Sequence, residues 1–233
     1  MILSEVIQRI SSLYSHGVGT TSTRLTARHI YNKLLTVRSR LLKEKFNKNQ
    51  FVQYQVLNCI ELIDAPISEC ECLCTPSSCN VKRSKIKLPK ILSGIRGHMI
   101  DYVMTIDGSV HFQEIRAGQK VYNKGSKYAK QNYLFYILND YLYLAMDDNL
   151  TKNLDIVMMT AIFDDIDIPS DFSKCVNGNS EPDCRSILEK DFPIEPDLIE
   201  PLIEIATNEL IVQFKALGAK DTSTNSVDEN ANV

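Results

Sequence analysis

The sequence predicts an α+β fold: two amino-terminal helices, a small, mostly antiparallel β-sheet in the middle, a carboxy-terminal helix and a polar tail. Three observations predict it. Apolar residues recur at spacings of three and four near both ends of the chain. β-branched and aromatic residues, punctuated by turn dipeptides, fill the middle, and large apolar residues are missing after Gly218.

Ile2–Tyr14 sets Leu3, Val6, Ile7, Ile10, Leu13 and Tyr14 on one stripe, the pattern of an amphipathic helix. The run HGVGTTST (16–23) reads as a loop, after which Thr26 caps a second helix to about Phe46 with Ile30, Leu34, Val37, Leu41 and Leu42 on its apolar face and the bases opposite. Phe51–Ile63 alternates as a strand. Asp107-Gly108, between Met99–Ile106 and Ser109–Ile115, predicts a hairpin because the dipeptide tolerates positive φ. Tyr133–Leu138 and Tyr141–Met146 predict a second hairpin about Asn139-Asp140, with a helix as the competing reading, and Leu154–Phe163 one more buried strand. A short helical piece over Arg185–Lys190 precedes a stronger helix begun at Pro196 or Pro201, which carries Leu198, Leu202, Ile205, Ala206, Leu210, Phe214 and Leu217. These elements group as a helical pair (1–48), a strand-rich region with a cysteine loop at 70–79 (49–183), a helical region packing on the same core (184–218), and a tail (219–233) that is disordered or ordered by a partner.

At 233 residues with 44% hydrophobic composition, the chain can bury a full core. The apolar runs are too short to span a bilayer and the first residues lack a basic leader, so a soluble protein made in a cytoplasm is expected. Most of the seven cysteines are then expected as free thiols. The net charge of −3 conceals segregation. Between Arg24 and Lys48 there are eight bases and one acid, whereas Asn139–Val233 holds twenty acids and six bases.

No catalytic constellation emerges. HGVGTTST lacks the lysine of a phosphate-binding loop and joins two helices. His16, His29, His98 and His111 have no nucleophile at a motif spacing. Asp101 and Glu114 suggest a metal-dependent nuclease only until Arg116, where lysine would be wanted. The turn Asp164–Asp167 lacks the glycine and distal glutamate of a calcium loop. Four thiolates at Cys70, Cys72, Cys74 and Cys79 have the number to bind zinc, but their C-x-C-x-C-x4-C spacing lacks the usual pairs two residues apart, and unligated thiols are the competing reading. The expectation is a non-enzymatic structural subunit without a cofactor.

The phrases ILSEVIQRISSLYSHG, LTARHIYNKLLTVRSRLL and FPIEPDLIEPLIEIA, in this order, resemble the portal-proximal ring protein of the head-to-tail connector in crAss-like podoviral bacteriophages. The resemblance implies a virion protein, assembled in the bacterial host cytoplasm, that forms a twelvefold homo-oligomeric ring. Its implied partners are the portal and the adjacent tail or connector rings, with viral DNA passing through a channel without specific recognition, and no membrane. On the sequence's own charges, Arg28, Lys33, Arg38, Arg40 and Lys43 are candidate interface residues, the basic helix of one copy meeting the acidic carboxy-terminal part of the next. Two other readings use the same features: nucleic-acid binding through the basic second helix, and an interaction module stabilised by zinc.

Overall fold

The helical spacing at both ends becomes one helical unit. The computed structural model describes residues 1–15, 25–65, 81–115, 133–145, 154–166, 172 and 186–224, the side chains of the last helix to Phe214. The chain divides into two units, Met1–Val52 with Arg185–Val233, and Gln53–Cys184.

In the first unit, α1 (Leu3–Tyr14) buries Leu3, Val6, Ile7 and Ile10. Glu5 reaches back to accept the Ile2 N–H at 3.1 Å, satisfying one of the donors a helix start leaves open. The segment ahead of α1 is stitched to residues 190–192: Leu3 N–H donates to the Lys190 carbonyl and Phe192 N–H to that of Met1, both at 3.0 Å. α2 (Ala27–Asn47) is capped by Thr26, whose hydroxyl accepts the His29 N–H, and buries Ile30, Leu34, Val37, Arg38 and Leu42. The expected helical piece after 185 is a single 3-10 turn, Ile187–Glu189. α3 (Pro196–Thr224) begins at the earlier of the two candidate prolines, and Pro201 lies inside it without ending it. A proline there removes one i→i−4 hydrogen bond, while the buried row Leu198, Leu202, Ile203, Ala206 and Leu210 holds the helix by packing.

The second unit corrects the expected small, mostly antiparallel sheet, although α+β remains the class. β1 (Gln55–Asp64), β2 (Val81–Ser84), β5 (Ile100–Thr105), β6 (His111–Glu114), β7 (Leu134–Leu138), β8 (Tyr141–Ala145) and β9 (Ile156–Ala161) form a closed barrel in the order β1-β2-β8-β7-β6-β5-β9. β3 (Ser93–Gly94) and β4 (Gly97–His98) form a separate two-stranded ribbon. Closure comes from β1, which pairs with β9 along Gln55–Glu61 and with β2 along Leu62–Asp64. A register shift between Leu57 and Ile60 bends the strand between these partners. The pairing β6–β7 is parallel, and closure leaves the barrel no exposed sheet edge. Its interior holds Leu57, Ile60, Val103, Phe135, Leu144 and Met159 among other apolar side chains.

Both expected hairpins form. β5 and β6 pair antiparallel about a turn in which Gly108 takes φ +70°. β7 and β8 are joined by Asn139 and Asp140 alone, at φ 53° and 65°, the left-handed pair that a two-residue turn needs to match strand twist. Glycine relieves the strain that aspartate bears at the second position. Asp140→Gly should therefore raise the thermal stability of the barrel by roughly 0.5 kcal/mol, and Asp140→Val should lower it by about 1–2 kcal/mol. Thermal melts of both variants check the pair, and equal stabilities would refute it.

Candidate functional site

The bases of α2 are distributed by the helix period into different environments. Lys33 and Arg40 lie on the flank facing α3 and converge on Glu209, at 3.1 and 2.7 Å. One helical step on, Lys45 binds Glu195 and also Asp197, the latter at 2.7 Å. Arg38 is 1% exposed, with its Nε donating to the Pro193 carbonyl at 2.7 Å. Arg28 is exposed and Lys43 half-buried, and neither forms an ion pair among the described residues. On α1, Arg9 grips Glu200 of α3 with two parallel hydrogen bonds of 2.6 and 2.8 Å. The basic segment and part of the acidic segment thus neutralise each other within one unit. Arg38 and Lys45 escape a reading of α2 as basic on one face, yet Arg38 stands four residues from both Leu34 and Leu42 on the buried stripe. That spacing was the available signal.

Hydrogen bonds from Arg40 and then Lys33 hold the Glu209 carboxyl below the usual glutamate range. The bond from Lys45 does the same for Asp197. In return, Asp197 and Glu195 raise the Lys45 ammonium above the usual lysine range. A depressed carboxyl stabilises the fold above its unfolded pKa and loses that contribution as pH falls through the folded value. The helical unit should therefore keep these contributions at neutral pH and lose them below about pH 4. For the Glu209 cluster, whose carboxylate side chain is 33% exposed, the loss is about 1 kcal/mol after solvent screening. Melting temperatures measured from about pH 7 to pH 3 should fall less in Glu209→Gln than in the parent, and parallel curves would refute the assignment. The lysine works at the other end of the scale, its contribution fading as pH rises above its raised value.

Among the described residues, the other candidates do not come together as a reaction centre. Cys70, Cys72, Cys74 and Cys79 lie outside the described residues, as do His16 and Arg116. Cys59 in β1 is buried and disulfide-bonded. Among the described residues, no group of three or more His, Cys, Asp or Glu side chains is placed to hold a metal ion. Asp101 is exposed, while Glu114 receives His98 Nδ1 at 3.1 Å. Asp164 is paired with Lys90 at 3.3 Å. A groove of about 410 Å³ runs beside α1, lined by Ser4, Ile7, Gln8, Ser11, Ala27 and Leu188 with two further serines. None of these side chains titrates near neutral pH, so among the described residues the groove offers hydrogen bonds and an apolar floor but no general acid or base.

No described helix is long and apolar enough to cross a membrane. A family model described as phage tail ring protein 2 matches residues 5–230, taking in both units. A search of curated proteins finds no match.

Proposed function

Because the chain belongs to this family of crAss-like phage tail ring proteins, we propose that it is a structural virion protein of the head-to-tail connector, forming a twelvefold ring between portal and tail and leaving a channel for genome ejection. The family match carries the reading. A ring closes through a heterologous contact, one face of each copy fitting a different face of the next. Since Lys33 and Arg40 already have Glu209, and Lys45 has Asp197, as acidic partners on α3, the charge available to a neighbour on α2 is that of Arg28 and Lys43. In this reading these two supply the register of the contact and the ion pairs of Glu209 hold the helices that present them. Portal and adjacent ring proteins bind the two open faces, and DNA passes without sequence recognition.

Native mass measurement of the purified full-length chain tests the proposal. Closed oligomers of about a dozen copies are expected, with negative-stain images showing an open centre. A chain that stays monomeric over the accessible concentration range, alone and with portal protein, overturns it.

A further inference from the structure

β9 reads Ile-Val-Met-Met-Thr-Ala, apolar at nearly every position, the composition of a strand covered on both faces. Its inward residues Val157, Met159 and Ala161 are fully buried in the barrel. Its outward residues are mixed: Thr160 is 5% exposed, whereas Ile156 and Met158 are only half-buried. Register places Thr160 between Val56 of β1 and Tyr102 of β5 in one row. In the next row, Met158 faces Met104, which in turn faces His111 of β6. Tyr102, Met104, Ile156 and Met158 are only half-buried, Val56 is 44% exposed, and Ile106, just beyond β5, is 55% exposed. Around the buried Thr160, three adjacent strands therefore carry apolar side chains on the outside of the barrel, with two methionines paired between β9 and β5.

We propose that this outer strip of β1, β9 and β5 is one of the two faces through which successive copies of this chain join, its occupant being a different face of a second copy. The inference rests on the ring reading above. Each copy in a closed ring buries two different patches against its neighbours, and the cores of such interfaces favour methionine and aromatic side chains and are depleted of charge. The strip has that composition at Tyr102, Met104 and Met158, and is bounded beside Ile156 by the exposed Glu61, which Lys85 holds. Thioether side chains also adapt to an opposing surface that is not their own mirror image. Charge sets which surface that is. Asp101 stands exposed beside Tyr102, and Gln53–Cys184 contains seventeen acids and thirteen bases. Two copies meeting through this same unit would bring like net charge together. The remaining segments, Met1–Val52 and Arg185–Val233, hold thirteen bases and twelve acids and include the exposed Arg28. A head-to-tail contact that avoids self-pairing of the strip is electrostatically the better one.

The test compares the full-length parent with Met104→Glu and Met158→Glu by native mass measurement across a dilution series. Each carboxylate would be buried without a partner in the contact, so the concentration at which oligomers dissociate should rise roughly 30-fold or more. Parallel melting curves establish that the barrel remains folded. Independently of folding effects, a photo-activated benzophenone amino acid at the exposed position 56 should give a covalent product of twice the chain mass. Oligomers of both glutamate variants that dissociate like the parent, or cross-linking that yields no self-product from an assembled parent, would overturn the strip while leaving the ring reading intact. A parent that never oligomerises and gives no self-product would instead bring down the ring reading and the strip with it.

Discussion

Replacing Arg38 with alanine is expected to destabilise the helical unit by about 3 kcal/mol, although the residue sits in what the sequence presents as a solvated basic helix. Its side chain is 1% exposed and donates to the Pro193 carbonyl just ahead of α3. Alanine removes the aliphatic stem, which lies in the same buried row as Leu34 and Leu42, and leaves a carbonyl without that donor. Arg38→Met, which keeps most of the stem, should lose less, about 1–2 kcal/mol. Denaturant titrations of both variants measure the difference, and an alanine variant within about 0.5 kcal/mol of the parent would show that the arginine is dispensable. The result bears on assembly. A ring lost in an Arg38 variant reports a damaged helical unit, whereas Arg28→Glu and Lys43→Glu address the surface without that confusion.

The second large effect belongs to the barrel. Phe163 follows β9, is fully buried, and bridges to Ile91 in an antiparallel contact. It packs in the same apolar cluster as Phe135, Leu144 and Met159. Phe163→Ala removes a ring from a site where closure on all sides limits collapse, so a loss of about 3–5 kcal/mol is expected. Since β9 is the strand that meets both β1 and β5, the loss should appear as one cooperative drop in barrel stability rather than as fraying. Thermal unfolding followed by near-ultraviolet circular dichroism reads it. A change below about 1 kcal/mol would mean that the barrel does not depend on this end of its core.

Local structure was legible wherever a local rule governs it. Leu3, Val6, Ile7 and Ile10 announce α1 by spacing, and Asn139-Asp140 announces a two-residue turn by its tolerance of positive φ. Closure was not legible. Gln55 pairs with Ala161 across roughly a hundred residues, a partnership that neither strand encodes alone. The parallel contact of Gln113 with Leu134 is hidden for the same reason. β2, reading Val-Lys-Arg-Ser, is too short and too charged to signal a strand, yet Lys82 is 6% exposed because its ammonium reaches the Leu154 carbonyl and Asp155. At the candidate interface, counting charges along the chain showed segregation correctly but could not show that Glu209 returns to Lys33 and Arg40. The outer strip had a trace in the sequence: Met158 beside Met159 breaks the inward and outward alternation that a strand with one wet face keeps.

The insertion of Gln53–Cys184 between the two segments of the helical unit has a consequence for how the chain emerges from the ribosome. α1 and α2 leave the exit tunnel first, with Leu3, Ile10, Leu34 and Val37 awaiting partners on α3 that are translated only after the whole barrel. At about 5–20 residues per second, that wait lasts on the order of ten seconds. The last barrel strand, β9, ends at Ala161, 35 residues before α3 begins at Pro196, so the barrel has all its strands while α1 and α2 still lack their partner helix. Order of synthesis thus delays completion of the helical unit until α3 has followed the whole barrel out of the ribosome.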